Sequence, residues 1–349
     1  MLTRRSFVAG AAGLSLIAEP GRAQELEALA VGCGAAIVTP EGVGGMLLSG
    51  QTRATGGRAL QPGDRWHIGS NTKAMTAALY ARLVEAGRCR WGATLSALFP
   101  DLPVHPAWSG VTVEQVMSHA AGLSDAAIDQ AWLLKRHADT SDVRAQRTAF
   151  ARTVLAEPPA APPGRYSYGN AGYVLLGAAI ERATETSWEE AIARELWVPL
   201  GLGSAGFGAP LGDGPWGHSP GPTPVDPAGI ADNPAALGPA GRVHVTLGDY
   251  ARFLSLYLGG GGNLLSAATL TRLLTPAAGS AYAGGWSIEA SAGERVLAHE
   301  GSNTLWHAIA RIMPDRGIGY IAVANEGGTR GRAAALAMLK RVRGTAFSL

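Results

Sequence analysis

The sequence predicts an α/β (α+β) fold in which an antiparallel sheet flanked by helices is built from both termini, with a mostly helical domain inserted. Strand patterns occur near the N-terminus and again late in the chain, whereas helical patterns dominate the middle. Sheet segments so far apart in sequence form one layer only if the chain leaves the sheet and returns. We therefore predict a signal peptide over 1–23, a sheet domain over 24–69 plus 236–349, and a helical domain over 70–235.

The bulk composition is that of a soluble globular enzyme or binding protein. Of the 349 residues, 47% are hydrophobic and 16% are charged, so the chain can bury a sizeable core. The formal net charge is +2 and no basic run lies outside the N-terminus, so no nucleic-acid partner is expected. The two cysteines, Cys33 and Cys89, allow at most one disulfide, and we interpret them as separate, partly buried thiols.

The N-terminus has the pattern of an export signal. Arg4 and Arg5 precede a short apolar run over Phe7–Ala18, and small residues end at Ala23. Paired arginines before such a run are typical of a twin-arginine signal peptide, which predicts a periplasmic or secreted protein. An uncleaved membrane anchor is the alternative, although the run is short for a transmembrane helix. After signal cleavage, no stable membrane span is expected.

The N-terminal elements follow from alternation, turns and helical spacing. Val31–Thr39 and Gly45–Gln51 are predicted strands separated by the turn residues 40–42. Arg65–Ile68 leads into a predicted helix over Asn71–Ala86, whose apolar residues recur at helical spacing before Gly87.

The middle of the chain is predicted to be helical. Thr112 with Gln115, and Ser187 with Glu190, are capping boxes that mark helix starts. The predicted helices are Val113–Ser118, Ser141–Ala156, Ala171–Thr184 and Trp188–Leu196. A proline-rich linker lies at 158–164, and the long loop Gly206–Pro239 is expected to shape a binding site.

The last third returns to strands. Helices predicted at Leu247–Leu258 and Ala267–Leu274 come first, and a terminal helix is predicted at Arg330–Arg343. The predicted strands between them are Tyr282–Ile288, Arg295–Ala298, Leu305–Met313 and Gly317–Ala324.

The first candidate for chemistry is Ser70 with Lys73. Positions i and i+3 share one helix face, so the two side chains can touch. A serine hydroxyl needs a base to become a nucleophile, and a desolvated lysine can be that base because burial lowers its pKa. The alternative is a helix-capping serine followed by an exposed lysine.

Tyr168 and Asn170 form the second candidate pair. A tyrosine hydroxyl can relay a proton between serine and lysine, and an asparagine amide can contact a substrate carbonyl or the lysine. Alternatively, Tyr168 is a core aromatic residue before a Gly-Asn turn.

The third candidate is the segment from His299 through Gly301 to Ser302, at the end of a predicted strand. The Ser302 amide can join the Ser70 amide in an oxyanion hole, Gly301 allows a substrate to approach the strand, and His299 can bind or polarise it. A strand-end turn with a surface histidine is the alternative interpretation.

Taken together, the order Ser-x-x-Lys, Tyr-x-Asn, His-x-Gly resembles the serine β-lactamase-like superfamily. The resemblance is closest to the branch of class C β-lactamases, family VIII-type esterases, D-aminopeptidases and DD-peptidases. Further stretches that match the family are Gly63–Gly69, Leu83–Gly87, Val111–Leu123, Trp197–Leu202, Gly241 to Asp249, Gly284–Trp286, Met313–Asp315 and Asn325.

This resemblance implies an acyl-forming Ser70, a proton-transfer pair of Lys73 and Tyr168, and substrate or oxyanion contacts from Asn170, His299, Gly301 and Ser302. It implies a β-lactamase/transpeptidase-like fold. Class C β-lactamases carry Lys-Thr-Gly where this chain has His299-Glu300-Gly301, so an anionic β-lactam would lack one positive partner. No Glu-x-x-Leu-Asn segment of the class A type occurs either.

The remaining histidines, such as His67, His119 and His244, lack metal-ligand spacing and are interpreted as structural. No metal or other cofactor is expected.

We expect a hydrolase acting through an acyl-enzyme on a small-molecule ester or amide. A DD-peptidase or D-aminopeptidase acting on cell-wall peptides is the alternative enzyme, and a non-catalytic binding or scaffold protein of the same fold is the alternative of another class. The sequence leaves the oligomeric state open.

Overall fold

The computed structural model describes residues 30–259, 264–291 and 293–346. The predicted signal peptide over 1–23 lies outside these residues. The strands are β1 (Gly32–Thr39), β2 (Gly42–Gly50), β3 (Arg65–His67), β4 (Gly206–Phe207), β5 (His218–Ser219), β6 (Thr223–Pro224), β7 (Val243–Thr246), β8 (Tyr282–Ala283), β9 (Trp286–Ser291), β10 (Glu294–Ser302), β11 (His307–Met313) and β12 (Ile318–Ala324).

Most helices of the described residues lie between β3 and β7, and the last three follow β7. In chain order they are α1 (Thr72–Glu85), α2 (Leu95–Leu98), α3 (Val113–Met117), α4 (Gln130–His137), α5 (Val143–Ala156), α6 (Ala171–Thr184), α7 (Trp188–Ile192), α8 (Val198–Leu200), α9 (Gly238–Gly241), α10 (Leu247–Leu254), α11 (Ala267–Leu273) and α12 (Gly328–Ala346). Short 3₁₀ turns include Gly69–Asn71, directly before α1, and Asp125–Ala127.

The main sheet confirms the prediction that both ends of the chain build one antiparallel layer. Its seven strands have the order β2-β1-β12-β11-β10-β9-β8, with every neighbouring pair antiparallel. β1 pairs with β12 so that Cys33 lies opposite Ala324. A separate three-stranded sheet has the order β3-β7-β4. The domain boundaries proposed from sequence stay a prediction.

The two faces of the main sheet are both covered. Along β1, Ala36 and Val38 pack into the large core shared with the helical region, whereas Ala35 and Ile37 pack against α12. Alternate side chains of a strand point to opposite faces, so a strand covered on both faces must be apolar throughout. This explains why β1 is a nearly continuous apolar segment.

The two cysteines occupy separate places in this arrangement. Cys33 packs on the α12 side of the sheet, and Cys89, which follows α1, packs against the large core. Burial raises the pKa of the Cys89 thiol to about 11. A thiol with so high a pKa is a poor nucleophile.

Helix α1 runs through the middle of the large core. Each of its residues from Thr72 to Ala81 is buried, including Lys73. A helix buried on all sides is a core element. Lysine is almost never fully buried in such a helix unless it is paired, so the burial of Lys73 needs a specific explanation.

The structure corrects several predicted element boundaries. The single strand predicted at Tyr282–Ile288 is a hairpin of β8 and β9, because Gly284 and Gly285 both have positive φ. The strand predicted to end at Ala298 continues as β10 to Ser302. The helix predicted to reach Leu196 ends as α7 at Ile192 and continues as a π-helical turn.

Helix α4 is not among the sequence predictions. Its apolar residues form one short run, Ala131–Leu134, without the helical spacing on which a helix prediction rests. In the structure none of its residues is fully buried. Both predicted capping boxes, at the starts of α3 and α7, are present. Within the described part of the chain, no helix is both long and apolar enough to cross a bilayer.

Candidate active site

Ser70 and Lys73 are brought together at the start of α1. Ser70 lies in the 3₁₀ turn before the helix, and its Oγ is 3.0 Å from the Lys73 Nζ. The same Nζ donates hydrogen bonds to Asn170 Oδ1 at 2.9 Å and to the Ala240 carbonyl at 2.8 Å. The three hydrogen-bonding directions of the amine are therefore all used.

Burial changes the protonation of Lys73. The side chain is fully buried, and burial lowers its pKa to about 7, with only Asp125 acting in the opposite direction. An amine with that pKa exists in its neutral form in a large fraction of molecules at neutral pH. It can then accept a proton from a neighbouring hydroxyl.

Tyr168 lies over the same pair. Its hydroxyl lies close enough to Ser70 to affect its own ionisation, and its ring centre lies 5.0 Å from the Lys73 Nζ. Burial of the hydroxyl raises the pKa of Tyr168 to about 12, with the Ser70 side chain opposing it. The phenol therefore stays protonated at neutral pH and can donate a proton or relay one.

Asn170 is held by a residue that the sequence analysis did not identify. The Asp125 carboxylate accepts hydrogen bonds from the Asn170 backbone N–H at 2.7 Å, from its Nδ2 at 3.0 Å and from the Ala171 N–H at 2.8 Å. Because Nδ2 of Asn170 donates to Asp125, Oδ1 of the same amide faces Lys73. The sequence separation of 45 between Asp125 and Asn170 explains why no local spacing reveals the contact.

Strand β10 passes directly beside the serine. A Cβ placed on Gly301 would lie 2.7 Å from Ser70 N and 2.9 Å from Asn71 N, closer than packed atoms allow. A Cβ on Gly69, whose φ is +52°, would collide with Ser302 N and lie 2.7 Å from the Gly301 carbonyl carbon. Two glycines thus bring the amide-bearing segments around Ser70 and Ser302 into contact.

His299 faces the same space from β10. Its Nε2 lies 2.9 Å from the Tyr282 hydroxyl, and its side chain is almost fully buried. Burial, with the nearby Lys73 charge, lowers the pKa of His299 to about 3. The imidazole is therefore neutral at neutral pH, unlike a lysine at that position.

His119, interpreted from sequence as structural, lies at the centre of the aromatic wall. Its ring is 4.5 Å from the rings of both Tyr168 and Tyr282, and its φ is +54°. Left-handed backbone in a residue with a side chain is costly and clusters at functional sites. Burial lowers the pKa of His119 well below its ordinary value, so it is also neutral.

A cleft of about 430 Å³ opens over these groups. Glu300 lies at its outer side, where its carboxylate accepts hydrogen bonds from His307 at 3.2 Å and from Arg332 at 2.7 Å. The hydrogen bond from His307 and the pairing with Arg332 lower the pKa of Glu300 to about 2 despite partial burial. The residues lining the cleft are Ser70, Tyr166, Tyr168, Tyr282, Ser287, Glu289, Ala298, His299, Glu300, Ile309, Ala310 and Arg311.

The structure brings all seven candidate residues from the sequence into one place. Ser70, Lys73 and Asn170 form one hydrogen-bonded group with the Tyr168 ring over it, and His299, Gly301 and Ser302 border it on β10. Among the described residues, no group of His, Cys, Asp and Glu side chains is arranged to hold a metal ion.

This fold and this arrangement define a protein of the serine hydrolase class. The chain belongs to the beta-lactamase family, whose model matches residues 23–344. The expected superfamily and fold are thereby confirmed.

Individual relatives are distant. The chain is 27% identical to penicillin-binding protein 4 of Amycolatopsis lactamdurans, over 80% of this chain and 77% of the relative. The octameric penicillin-binding protein homologue from Pyrococcus abyssi has a TM-score of 0.76 at 23% identity, covering 93% of this chain and 77% of that one. The D-amino acid amidase from Ochrobactrum anthropi has a TM-score of 0.74 at 20% identity, covering 93% and 97%. At such identities the solved structures share the fold alone.

Proposed function

We propose that the protein hydrolyses a small, uncharged ester or amide through an acyl-enzyme on Ser70. The observation that carries this proposal is the fully buried Lys73, whose Nζ lies 3.0 Å from the Ser70 Oγ. An amine with a pKa of about 7 at that distance is a general base matched to neutral pH.

In the proposed reaction, neutral Lys73 takes the Ser70 proton while the Oγ attacks the substrate carbonyl carbon. The resulting oxyanion is stabilised by the amides of Ser70 and Ser302, and such a donor is worth about a hundredfold to a thousandfold in rate. Tyr168 passes the proton from Lys73 to the leaving alcohol or amine as the carbonyl–heteroatom bond breaks. Water then attacks the acyl-enzyme, gives its proton back through the same pair, and releases the acid and free Ser70.

The charges around the cleft favour a substrate without a carboxylate. His299 is neutral, and Arg311 is paired with Glu289 at 3.0 Å. Glu300 adds a negative charge, itself paired with Arg332. An anionic β-lactam would have to be desolvated here without a dedicated cation, which costs binding energy. We therefore rank esters and amides above β-lactams as substrates.

Ser70→Ala tests the proposed nucleophile. A fluorophosphonate probe is expected to label the unaltered protein, with the adduct on the peptide that contains Ser70 by mass spectrometry, and to leave Ser70→Ala unlabelled. Ser109→Ala changes an exposed serine and is expected to label normally. Equal labelling of Ser70→Ala and the unaltered protein would overturn the proposal.

A peptidase acting on D-amino-acid amides is the second candidate. Among the described residues, β9 pairs with β10 only as far as Ala298. The β10 edge beyond that residue is therefore not covered by β9, and His299 and Glu300 line the cleft. An extended peptide can bind along such an edge through backbone hydrogen bonds. The D-amino acid amidase fold relative is in keeping with this candidate.

A substrate panel separates the candidates. An esterase should have its highest kcat/KM on short p-nitrophenyl esters, whereas a peptidase should prefer D-alanine amides and anilides. Cephalosporin turnover above both would contradict our ranking by charge. Export to the periplasm, which we propose from the N-terminal pattern, is tested by fusing residues 1–30 to a reporter that is active only after translocation.

A further inference from the structure

Asp232 is a buried carboxylate that contacts both segments carrying the proposed oxyanion-hole amides. Its side chain is 6% exposed, and its Oδ1 lies 2.9 Å from His67 Nε2. The same oxygen accepts a hydrogen bond from Asn303 Nδ2 at 2.9 Å. His67 precedes Ser70 by three residues, and Asn303 directly follows Ser302. One oxygen atom therefore lies between the two segments.

His67 links Asp232 to the Ser70 side. Its Nδ1 accepts a hydrogen bond from the Gly69 N–H at 3.1 Å, so that nitrogen carries no proton. The ring proton must then be on Nε2, beside Asp232. The contacts at the two ring nitrogens fix the tautomer and the ring plane of His67, and with them the orientation of the Gly69 amide. The Trp306 ring, 5.6 Å away and inclined by 31°, packs against the imidazole.

Asn303 links Asp232 to the Ser302 side. Its Nδ2 also donates to the Ala231 carbonyl at 3.2 Å, and its Oδ1 accepts from the backbone N–H groups of Leu305 and Trp306 at 3.2 and 3.3 Å. The turn that follows Ser302 includes Thr304 with a φ of +76°. A strained turn keeps its shape only when its surroundings fix it, and Asn303 supplies several of those contacts.

The charge of Asp232 is compensated rather than free. Arg242 Nε lies 3.4 Å from its other oxygen. Burial alone would raise the pKa of Asp232, but His67, Arg242 and the Asn303 hydrogen bond together hold it below the ordinary value. The carboxylate is therefore ionised at neutral pH, accepts the Asn303 hydrogen bond and attracts the His67 Nε2–H group beside it.

We propose that Asp232 is a positioning residue that fixes the distance between the Ser70 and Ser302 amides. This inference rests on the proposed function, because it concerns how well the site binds the oxyanion. Without the shared carboxylate, the two segments can shift separately, and a displacement of about 1 Å at a catalytic group can cost about a hundredfold in rate.

Asp232→Asn keeps the size of the side chain and removes its charge. We expect kcat to fall by about tenfold to a hundredfold, with KM changed less than about threefold because ground-state contacts are kept. The affinity for phenylboronic acid, which forms a tetrahedral adduct on an active serine, should fall by the same factor as kcat. Asp226→Asn is the matched control, since it alters an exposed carboxylate of the same loop that contacts only its own turn within the described residues.

A second variant tests the Asn303 half of the arrangement. Asn303→Asp places two carboxylates together and is expected to lower kcat at least as much as Asp232→Asn. When both substitutions are combined, the amide introduced at position 232 can donate to the carboxylate introduced at position 303. The kcat of this double variant should therefore rise above that of Asn303→Asp alone. If the decreases in kcat of the two single variants simply add up in the double variant, the proposed contact between positions 232 and 303 is contradicted.

The proposal is wrong if Asp232→Asn lowers the melting temperature while kcat per titrated active site and boronate affinity stay unchanged. Failure of the proposed function has a different signature. In that case the unaltered protein would neither react with the fluorophosphonate nor bind the boronate, and the positioning role would fall with it.

Discussion

At the scale of single residues, the behaviour of Lys73 follows from its partners. Its Nζ contacts a hydroxyl, an amide oxygen and a backbone carbonyl, all of them uncharged. A buried amine in contact with a carboxylate keeps its positive charge. A buried amine with only neutral partners has a lowered pKa, because no opposite charge offsets the cost of removing its own charge from water. Asp125 is near enough to raise the pKa but does not offset burial.

The pH dependence of activity should therefore report the ionisation of Lys73. Below its pKa of about 7 the ammonium donates to Ser70 and cannot accept a proton, so kcat/KM should rise as the pH increases through 7. His299 and Tyr168, with pKa values of about 3 and 12, titrate outside this range. The measurement is kcat/KM for a neutral ester between pH 5 and 9.

Lys73→Arg provides the comparison for that profile. A guanidinium stays protonated throughout, so this variant should have very low activity at every pH in the range. A flat profile for the unaltered protein, or a fall through pH 7, would show that Lys73 is not the base.

The sequence was sufficient to pair Ser70 with Lys73, because helical spacing alone puts positions i and i+3 on one face. It indicated the lowered lysine pKa only as a condition, because spacing alone does not show whether the amine is buried. The groups that bury the amine come from Asn170 and Ala240, each about a hundred residues or more away. Only the folded chain puts them there.

At the scale of elements, the N-terminus of α6 is organised by Asp125 from another segment. Its carboxylate accepts the first backbone N–H groups of the helix and the Asn170 side chain. Asp125→Ala should reduce the free energy of unfolding by about 1–3 kcal/mol, since charged hydrogen bonds to buried N–H groups are lost. It should also lower kcat by about tenfold, because Asn170 no longer holds Lys73 in place.

Asp129→Ala is the control for that variant. Asp129 also caps a helix, with its carboxylate accepting the Trp132 N–H at 2.7 Å, but α4 does not border the cleft. Chemical denaturation should show a loss of about 1 kcal/mol with unchanged kcat. Equal kcat values in the two variants would mean that Asp125 is only a cap.

A second prediction at the scale of elements concerns strand β10. Gly301→Ala places a methyl group against Ser70 N, so the strand must move away and the two proposed oxyanion donors must separate. We expect kcat to fall by about a hundredfold or more, as for loss of a donor. Gly214→Ala adds the same methyl group where no atom lies within 4 Å, and should leave kcat unchanged. Activity of Gly301→Ala within about threefold of normal would contradict this account.

The elements also show where sequence reasoning failed. It predicted a strand over Arg295–Ala298 but ended it there, because the apolar run stops at Ala298 and is followed by His299, Glu300 and Gly301. It interpreted the segment from Tyr282 as one strand and so missed the Gly284-Gly285 pair, which favours a two-residue hairpin turn. Gly285 also packs against the backbone of Ala74, where a side chain would not fit.

At the scale of the whole molecule, the main sheet lies between the large core that contains α1 and the apolar cluster packed under α12. Its α12 face is filled by apolar residues of β1, β11, β12 and the helix, while the opposite face borders the large core that contains α1. The sequence predicted that the two ends of the chain meet in one sheet. The three-stranded sheet of β3, β7 and β4 was not predicted, because two of its strands are only two or three residues long and carry little pattern.

This separation predicts a variant that loses stability without losing chemistry. Met338 is 1% exposed on α12, within the cluster on the face of the sheet away from α1. Met338→Ala should reduce the free energy of unfolding by about 2–5 kcal/mol through the cavity it leaves. Because catalytic geometry is set on the other face, kcat per active site, counted by fluorophosphonate titration, should be unchanged. Lys340→Ala alters an exposed position of the same helix and should affect neither quantity. If kcat of Met338→Ala fell in proportion to stability, the two faces would have to be coupled. Ile309 of β11 packs in the α12 cluster and borders the cleft, and Arg332 of α12 pairs with Glu300 at the cleft, so these two contacts would be the routes to test.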